Sequence, residues 1–496
     1  MDTKKLRQKI LDLAIHGKLV PQDPNDEPAS ILLERICKEK EQLIKEGKIK
    51  APKKSKSAGD TSHYPKEGPW KLPEGWIWCN LDELCLFLSR GKSPVYSNND
   101  KEYPVFAQKC NLKEGGISLE KSLFLDPATL PKWPIEFRLK TGDVLVNSTG
   151  TGTVGRTRLF DEQVLGPYPF VVPDSHVSVI RTFNQISSEY VYIILSSEFG
   201  QQYFADNLAG STNQKELYIA AIAELQFPLP PAEEQRRIAK QVFALNNSIK
   251  KLDEEKLLIH SGVESAKVKI LDLAIHGKLV PQNPSDEPAI KLLKRINPGF
   301  QPSHNLHYAG ELPKGWCFVR LGSIIDLISG TSYQKDDVII SNDGIRILRG
   351  GNIQQGNIVL YENDIFVRNG LLNENNTIYH GDIVLVASTG SSELIGKAAL
   401  AKQDYPATQI GAFMRIIRPK LTELSYYLGL IFQSDYYKNH IKNMAKGTNI
   451  NNIKSAYLTE FVISVPPLKE QHRIIERVSE LFSAIDDISN SIKDSE

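Results

Sequence analysis

Beyond Pro230-Pro231 the apolar positions fall at Ile238, Val242, Leu245, Ile249 and Leu252, alternately four and three residues apart. The same rhythm returns after Pro466-Pro467 at Ile474, Val478, Leu481, Ile485, Ile488 and Ile492. A stripe this narrow is the seam of a long helix that packs on another helix. Prolines ahead of each stripe and acidic residues in the first turn suit a helix N-terminus, where the dipole favours negative charge. The seams are in register at an offset of 236 (238 to 474), so the spacing predicts that they pair with each other as an antiparallel pair about a pseudo-two-fold axis. Val191, Ile194, Leu195, Phe199 and Phe204 predict a further helix over 190–208, with a counterpart over 424–444. Short β-rich runs occur at 144–146, 177–180, 383–386 and 413–417, each broken by Gly, Asn or Asp.

The chain contains a near copy of itself. Residues 9–36 (KILDLAIHGKLVPQDPNDEPASILLERI) return at 269–296 with five of 28 positions changed. LPEGW at 72–76 returns as LPKGW at 312–316, NLKEGGI at 111–117 more loosely as NIQQGNI at 352–358, GDVLVNSTG at 142–150 as GDIVLVASTG at 381–390, and PPAEEQRRI at 230–238 as PPLKEQHRI at 466–474. The unit is about half the chain, which is the size of a duplicated domain and too long for a solenoid repeat. Near-identical blocks frame two stretches that share only a sparse skeleton, as expected of two modules doing the same kind of job on different targets. In the middle of the chain the seam helix runs on into 269–282, whereas at the C-terminus the matching segment is found instead at 9–22. The repeat reads as a circle cut open, with the helix over 3–16 expected to pack beside the end of the C-terminal helix.

These elements predict an α+β protein: two α+β modules separated by long antiparallel helices, with an internal pseudo-two-fold repeat. The expected boundaries are a helical segment at 1–36, a Lys-rich linker at 37–69, the first module at 70–229 and a central helical region at 230–296. A linker at 297–314, the second module at 315–465 and a C-terminal helix at 466–496 follow.

Composition narrows the function classes. A net charge of +1 rules out a polycation, so a nucleic-acid surface has to be local or shared with a partner. Five cysteines (Cys37, Cys79, Cys85, Cys110, Cys317) form no CxxC pair and make an odd count, as in reduced cytoplasmic proteins with no structural metal. The charged first ten residues do not read as a signal peptide, and no apolar run approaches the ~20 residues that span a bilayer. Residues 38–56 carry eight lysines and read as a solvated helix end with a flexible linker, with non-specific phosphate contact as the lesser alternative.

Motifs that would carry catalysis fail on inspection. Residues 150–155 fit GxGxxG, and the same stretch reads as GxxxxG followed by Arg156-Thr157, where a phosphate-binding loop needs Lys then Ser or Thr. The second copy keeps neither spacing. What both share is a strand, then Ser-Thr-Gly, then a Gly followed by a base (Arg156, Lys397), which describes a polar β-turn. There is no HExxH and no N/D-PP-Y/F tetrapeptide. His16 and His276 hold equal places in the repeated helices and read as structural.

Two divergent modules framed by repeated helices, with PPxxEQxRI opening each long helix and LPxGW opening each module, resemble the specificity (S) subunit of type I restriction–modification enzymes over essentially the whole chain. A repeated helical segment ahead of the first module departs from many relatives. The resemblance implies a chain without catalysis of its own, a sequence-specific DNA-recognition subunit in which each module is a target recognition domain for one half of a bipartite, asymmetric site on double-stranded DNA. The helices would set the spacer and dock two methyltransferase subunits. It further implies that S-adenosylmethionine belongs to those partners, ATP and Mg to motor-nuclease subunits, and no cofactor or metal to this chain. Base edges are read mainly by Arg, Lys, Asn and Gln. The candidates are therefore polar loop residues at equivalent places. In the first module they are Arg90, Lys92, Gln108, Lys109, Asn111, Ser148, Thr149, Arg156, Thr212 and Asn213. In the second they are Ser332, Tyr333, Arg346, Arg349, Asn352, Ser388, Thr389, Lys397, Thr448 and Asn449. Two rivals stand beside this reading. A fused methyltransferase or nuclease would need a cofactor loop and an acid or metal cluster. A non-catalytic scaffold with two protein-binding modules predicts no salt-dependent DNA binding.

Overall fold

The computed structural model describes residues 2–49, 68–150, 152–210, 215–303, 312–390, 394–444 and 452–494. The chain divides into two compact units, Met1–Glu255 and Lys256–Glu496.

In the first unit, helix Thr3–Ile15 is capped by Asp2, whose side chain accepts from the N–H groups of Lys4 and Lys5. It stops where Gly17 takes a φ of +64°, a left-handed conformation that glycine adopts without strain. Gly277 (φ +65°) stops the copy of this helix in the second unit. A Cβ on either glycine would sit 2.5 Å from a proline Cγ, Pro73 for Gly17 and Pro313 for Gly277. The glycine of the repeated helix and the LPxGW that opens each module are thus two sides of one joint. This is a physical reason for both blocks to persist. Replacing Gly277 by Ala combines an unfavourable φ with a backbone-to-ring clash. We expect a loss of about 1–3 kcal/mol, seen as a lower urea midpoint for the full chain with an unchanged slope. An unchanged midpoint would contradict the joint.

Each module enters and leaves its helical frame at one place, because its first and last strands pair. Ile77–Asn80 lies antiparallel to Gln226–Leu229, and Cys317–Arg320 to Val462–Val465. Inside is a four-stranded antiparallel sheet. In the first module its order is Cys85–Arg90, Val177–Thr182, Val144–Asn147, Thr157–Leu159. In the second it is Ile325–Ser329, Met414–Pro419, Ile383–Val386, Ala398–Leu400. A buried ion pair braces both: Asp143 accepts from Arg181 Nε at 2.6 Å, and Asp382 from Arg418 Nε at 2.8 Å. The modules diverge in their second large sheet, which among the described residues has three strands in the first module and five in the second.

Several expectations are corrected. The helix over 190–208 is two helices, Ser188–Ser196 and Glu198–Asp206, and its counterpart is Ser425–Gln433 with Asp435–Met444. The breaks fall at Ser197 and Ser434, whose hydroxyls donate to the carbonyls of Ile194 and Ile431 at 2.6 Å and accept from the next turn. These side-chain bonds replace helical ones and bend the chain without breaking the apolar rhythm. The strand expected over 413–417 begins at Met414, leaving Phe413 outside it.

Each seam finds its cover inside its own unit. Ile238, Val242 and Ile249 lie in one core cluster with Ile10, Leu11, Ala14 and Ile15 of the N-terminal helix. Ile474 and Val478 lie in another with Leu271, Ala274 and Ile275. Each seam is therefore covered by the copy of the 9–22 helix in its own unit. The N-terminal helix closes the first unit, packing against the core that includes Trp76 and Tyr190. Matching contacts clamp the two arrangements. Gln22 donates to Glu234 and Gln282 to Glu470, both at 3.1 Å, while Arg237 pairs with Asp26 and Arg473 with Asp286. Arg7–Asp253 and Lys267–Asp486 lie further along. In each unit partner numbers fall as helix numbers rise, so the helices run antiparallel. Leu245, Leu481 and Ile485 are half-buried, whereas Leu252 and Ile488 are exposed.

The central helix is continuous from Ala232 to Ile275, 44 residues. The helix beginning at Ala29 runs to Lys45, past the expected boundary at 36. The rest of the Lys-rich stretch, residues 50–56, lies outside the described residues, as do parts of both expected linkers. His16 and His276 each place Nδ1 2.7 Å from a helix carbonyl four residues earlier, the structural role expected. Among the described residues no helix is long and apolar enough to cross a membrane.

Candidate nucleic-acid interface

In an antiparallel sheet the end of one strand meets the start of its neighbour. The register pairs Arg90 with Ser178, Asn147 with Val177 and Val146 with Thr157. The loops after Arg90 and Asn147, and those before Thr157 and Val177, therefore converge on one edge of the sheet. The second module repeats this, with Ser329 opposite Arg415, Val386 opposite Met414 and Leu385 opposite Ala398. Arg90, Lys92, Ser148, Thr149 and Arg156 lie along the first rim and Ser332, Tyr333, Ser388, Thr389 and Lys397 along the second, whereas Gln108, Lys109, Asn111, Arg346, Arg349 and Asn352 lie on or just after a strand of the neighbouring sheet.

In the first module many of them are held by the protein itself. Arg90 is ion-paired with Glu216. Lys92 donates to the Lys132 carbonyl at 2.6 Å and lies 4.2 Å over the Phe137 ring. Gln108 donates to the Thr149 carbonyl at 2.8 Å, and Thr149 Oγ1 is 2.9 Å from His176 Nδ1. Asn111 is fully buried, donating to the Arg156 carbonyl at 3.0 Å, while Arg156 Nη1 donates back to the Asn111 carbonyl at 2.7 Å. Ser148 is buried with its hydroxyl 2.5 Å from that of Ser178. Lys109 is exposed.

The second module is more open. Arg346 is spent on Asp364 at 2.8 Å and on the Tyr361 carbonyl at 3.1 Å. Asn352 is buried, accepting from the Arg349 N–H at 2.8 Å and donating to Asp364 at 2.7 Å. Tyr333 packs half-buried against Ile345, Ile347 and Val367. Ser388 and Thr389 are half-buried, with the Ser388 N–H donating to the Phe413 carbonyl at 2.8 Å. Ser332, Arg349 and Lys397 are exposed. Arg349 lines a cleft of about 450 Å³ with Gly351, Asn352, Tyr361, Asn363 and Asp364. Thr212, Asn213, Thr448 and Asn449 lie outside the described residues.

Asn111 and Asn352 brace their loops, their amide groups donating to Asn147 and the Arg156 carbonyl and to Asp364 and the Val359 carbonyl. A buried amide whose donors are satisfied by backbone and side chains cannot turn to a base without leaving those partners unpaired.

Sequence reasoning missed two pairs of rim residues. His176 and Phe413 hold equivalent places, each preceding the second strand of the sheet and accepting an N–H from the Ser-Thr-Gly turn, Ser148 N at 2.8 Å and Ser388 N at 2.8 Å. Glu216 and Asn452 are likewise equivalent, bridging Thr149 and Ser388. The signal was available in the offset of 237 between the strands beginning at Val177 and Met414. It was hidden because neither pair shares a residue type.

Burial dominates the electrostatics of the frame. It pushes the carboxyls of Glu234 and Glu470 up, against hydrogen bonds from Gln22 and Gln282 that act the other way. It also raises Asp174, which lies under the first rim, against its hydrogen bond from the His176 N–H. The hydrogen bond to Asp382 holds the Arg418 guanidinium above its ordinary range. Among the described residues no group of three or more His, Cys, Asp or Glu is placed to hold a metal ion. Residues 152–155 of the GxGxxG stretch lie in the connection between the paired strands Val144–Asn147 and Thr157–Leu159.

The family model described as the type I restriction modification DNA specificity domain matches residues 73–258 and 313–495. The EcoAI specificity subunit of Escherichia coli is 28% identical over 99% of this chain and 90% of its own length. The EcoEI specificity subunit, also from Escherichia coli, is 26% identical over 99% and 91%. A solved chain from work on the assembly and conformational transition of the type I R-M system superposes with a TM-score of 0.58 at 19% identity, covering 86% of this chain and 95% of its own. That last likeness concerns the fold, whereas each of the two matched stretches takes in one framed module together with much of the long helix that follows it. With both modules matched by the same family and nearly full-length relatives on either side of the comparison, the chain belongs to the type I restriction–modification specificity subunits and is a DNA-recognition subunit.

Proposed function

We propose that each module reads one half of a bipartite, asymmetric DNA site through the loop rim of its four-stranded sheet, and that the helical frame sets the gap between the halves. One observation carries this reading. The two modules bring the same loops together with the same backbone bonds, yet the side chains differ: Ala107 against Arg349, Arg156 against Lys397, His176 against Phe413, Glu216 against Asn452. A kept scaffold with changed side chains suits two half-sites of different sequence, and a single chain carrying both modules need not read a palindrome.

The frame is the proposed dock for two methyltransferase subunits, one per copy. Lys18 and Lys278 are exposed at the same place in both, as are Pro21-Gln22 and Pro281-Gln282. Equal surfaces suit equal partners. S-adenosylmethionine would be held by those subunits, and ATP and Mg by motor-nuclease subunits. The chain itself would perform no catalysis, bind no cofactor and work in the cytoplasm. Salt dependence separates this reading from a protein-binding scaffold. The complex with its methyltransferase partners should lose affinity for its own site steeply between 50 and 200 mM salt, by roughly 10³-fold or more if about six phosphates are contacted. A complex that assembles but binds DNA with no salt dependence supports the scaffold.

A further inference from the structure

We propose that Arg349 and Phe413 form the base-reading pair of the second module, Arg349 donating two hydrogen bonds to a guanine and Phe413 packing on the methyl group of a neighbouring thymine. This rests on the reading above, that the rims face DNA.

Phe413 is 70% exposed, yet its backbone is pinned. Its carbonyl accepts from Ala387 N at 3.0 Å and Ser388 N at 2.8 Å, and the turn around it is closed by Met414 N donating to the Gly411 carbonyl at 2.9 Å. An aromatic ring carried on a fixed turn offers a large, rigid apolar contact at low entropic cost. Arg349 follows a strand of the neighbouring sheet. Leu348 pairs with Ile410 in the parallel ladder, and Gly411 N donates to the Leu348 carbonyl at 2.9 Å, so the chain carrying Arg349 and the turn carrying Phe413 leave the sheet side by side.

The Arg349 backbone is fixed in turn by Asn352, which Asp364 and the Val359 carbonyl hold in place at 2.7 and 2.9 Å. Asp364 also holds Arg346, so the one carboxylate braces both the loop and the neighbouring arginine. The residue at the equivalent place in the first module is Ala107, which has no side-chain donor, so this arginine belongs to the second module alone. The guanidinium fork matches guanine O6 and N7 in the major groove, and apolar side chains recognise the thymine methyl.

Both residues are exposed, so truncating them leaves the fold intact. The test is the methylation motif written by the complex carrying the wild-type chain, Arg349→Ala, Phe413→Ala or Phe413→Leu, each with its methyltransferase partner. Arg349→Ala should reduce discrimination by about ten- to a hundred-fold at one guanine. Phe413→Ala should relax one adjacent thymine in the same half, and Phe413→Leu, which keeps an apolar contact, should restore most of it. The other half should not change. If the wild-type motif has two halves and both alanine variants write it with unchanged selectivity, the pair is overturned while the proposed function stands. If the assembled wild-type complex writes no two-part motif, the proposed function itself fails.

Discussion

Removing residues 256–259 from the central helix should shorten the gap between the two half-sites by one or two base pairs and leave both half-sites unchanged. The reasoning is geometric. Helix Ala232–Ile275 is unbroken, and the boundary between the two compact units falls inside it, at Glu255/Lys256. Its rise of about 1.5 Å per residue makes four residues worth ~6 Å, against about 3.4 Å per base pair of duplex. Four residues also turn the helix by about 400°, a net rotation of ~40°. Leu257, Leu258 and Ile259 are exposed. The clamps Arg7–Asp253 and Lys267–Asp486 lie on either side of the deletion, so each unit keeps its own contacts. A selection of methylated sites from the shortened chain measures the gap directly. An unchanged gap with both halves retained would refute the helix as a ruler.

Exchanging residues 70–229 for the matching module of a relative should replace one half-site with the donor's and leave the other half and the gap as they were. The pairing of Ile77–Asn80 with Gln226–Leu229 makes this exchange feasible, because the module joins its frame at one place. The junctions have to carry LPEGW and the Pro230-Pro231 start. Across the junction Trp76 Nε1 donates to Glu234 at 3.0 Å and the Ser187 N–H donates to Gln235 Oε1 at 3.0 Å. Leaving any of these buried groups without its partner costs about 1–3 kcal/mol. A chimera that assembles with its methyltransferase partners but alters both halves would show that the modules do not read independently.

The frame was legible because it repeats. The seams, the helix ends and the joint between Gly17 and Pro73 all rest on residue types whose backbone or packing needs are narrow, and duplication printed them twice. The partner of each seam was not legible. Heptad spacing says that a stripe is covered by a helix but not by which one, and the amphipathic 9–22 helix and its copy at 269–282 compete for the same role. Burial decided it, through Ala14, Ile15, Ala274 and Ile275. Ser197 and Ser434 split helices that apolar rhythm predicts as continuous, since a serine can cap as well as ride on a helix.

At the rims, sequence located the loops but not the free side chains. Asn111, Ser148, Arg156, Arg346 and Asn352 have the chemistry of base readers and are consumed by local hydrogen bonds, which single-residue reasoning cannot foresee. Phe413 was hidden by its hydrophobicity: on sequence alone it reads as the first residue of a strand, and only the turn from Gly411 to Met414 places it in solvent.

The most direct test of the central claim is the methylome of a host strain with and without this chain, its methyltransferase partner present in both. The account predicts that adenine methylation at one two-part motif, two specific halves around a fixed gap, is present with the chain and lost without it. An identical methylome in both strains, with the chain expressed and bound to its partner, would contradict the assignment of DNA specificity to this chain.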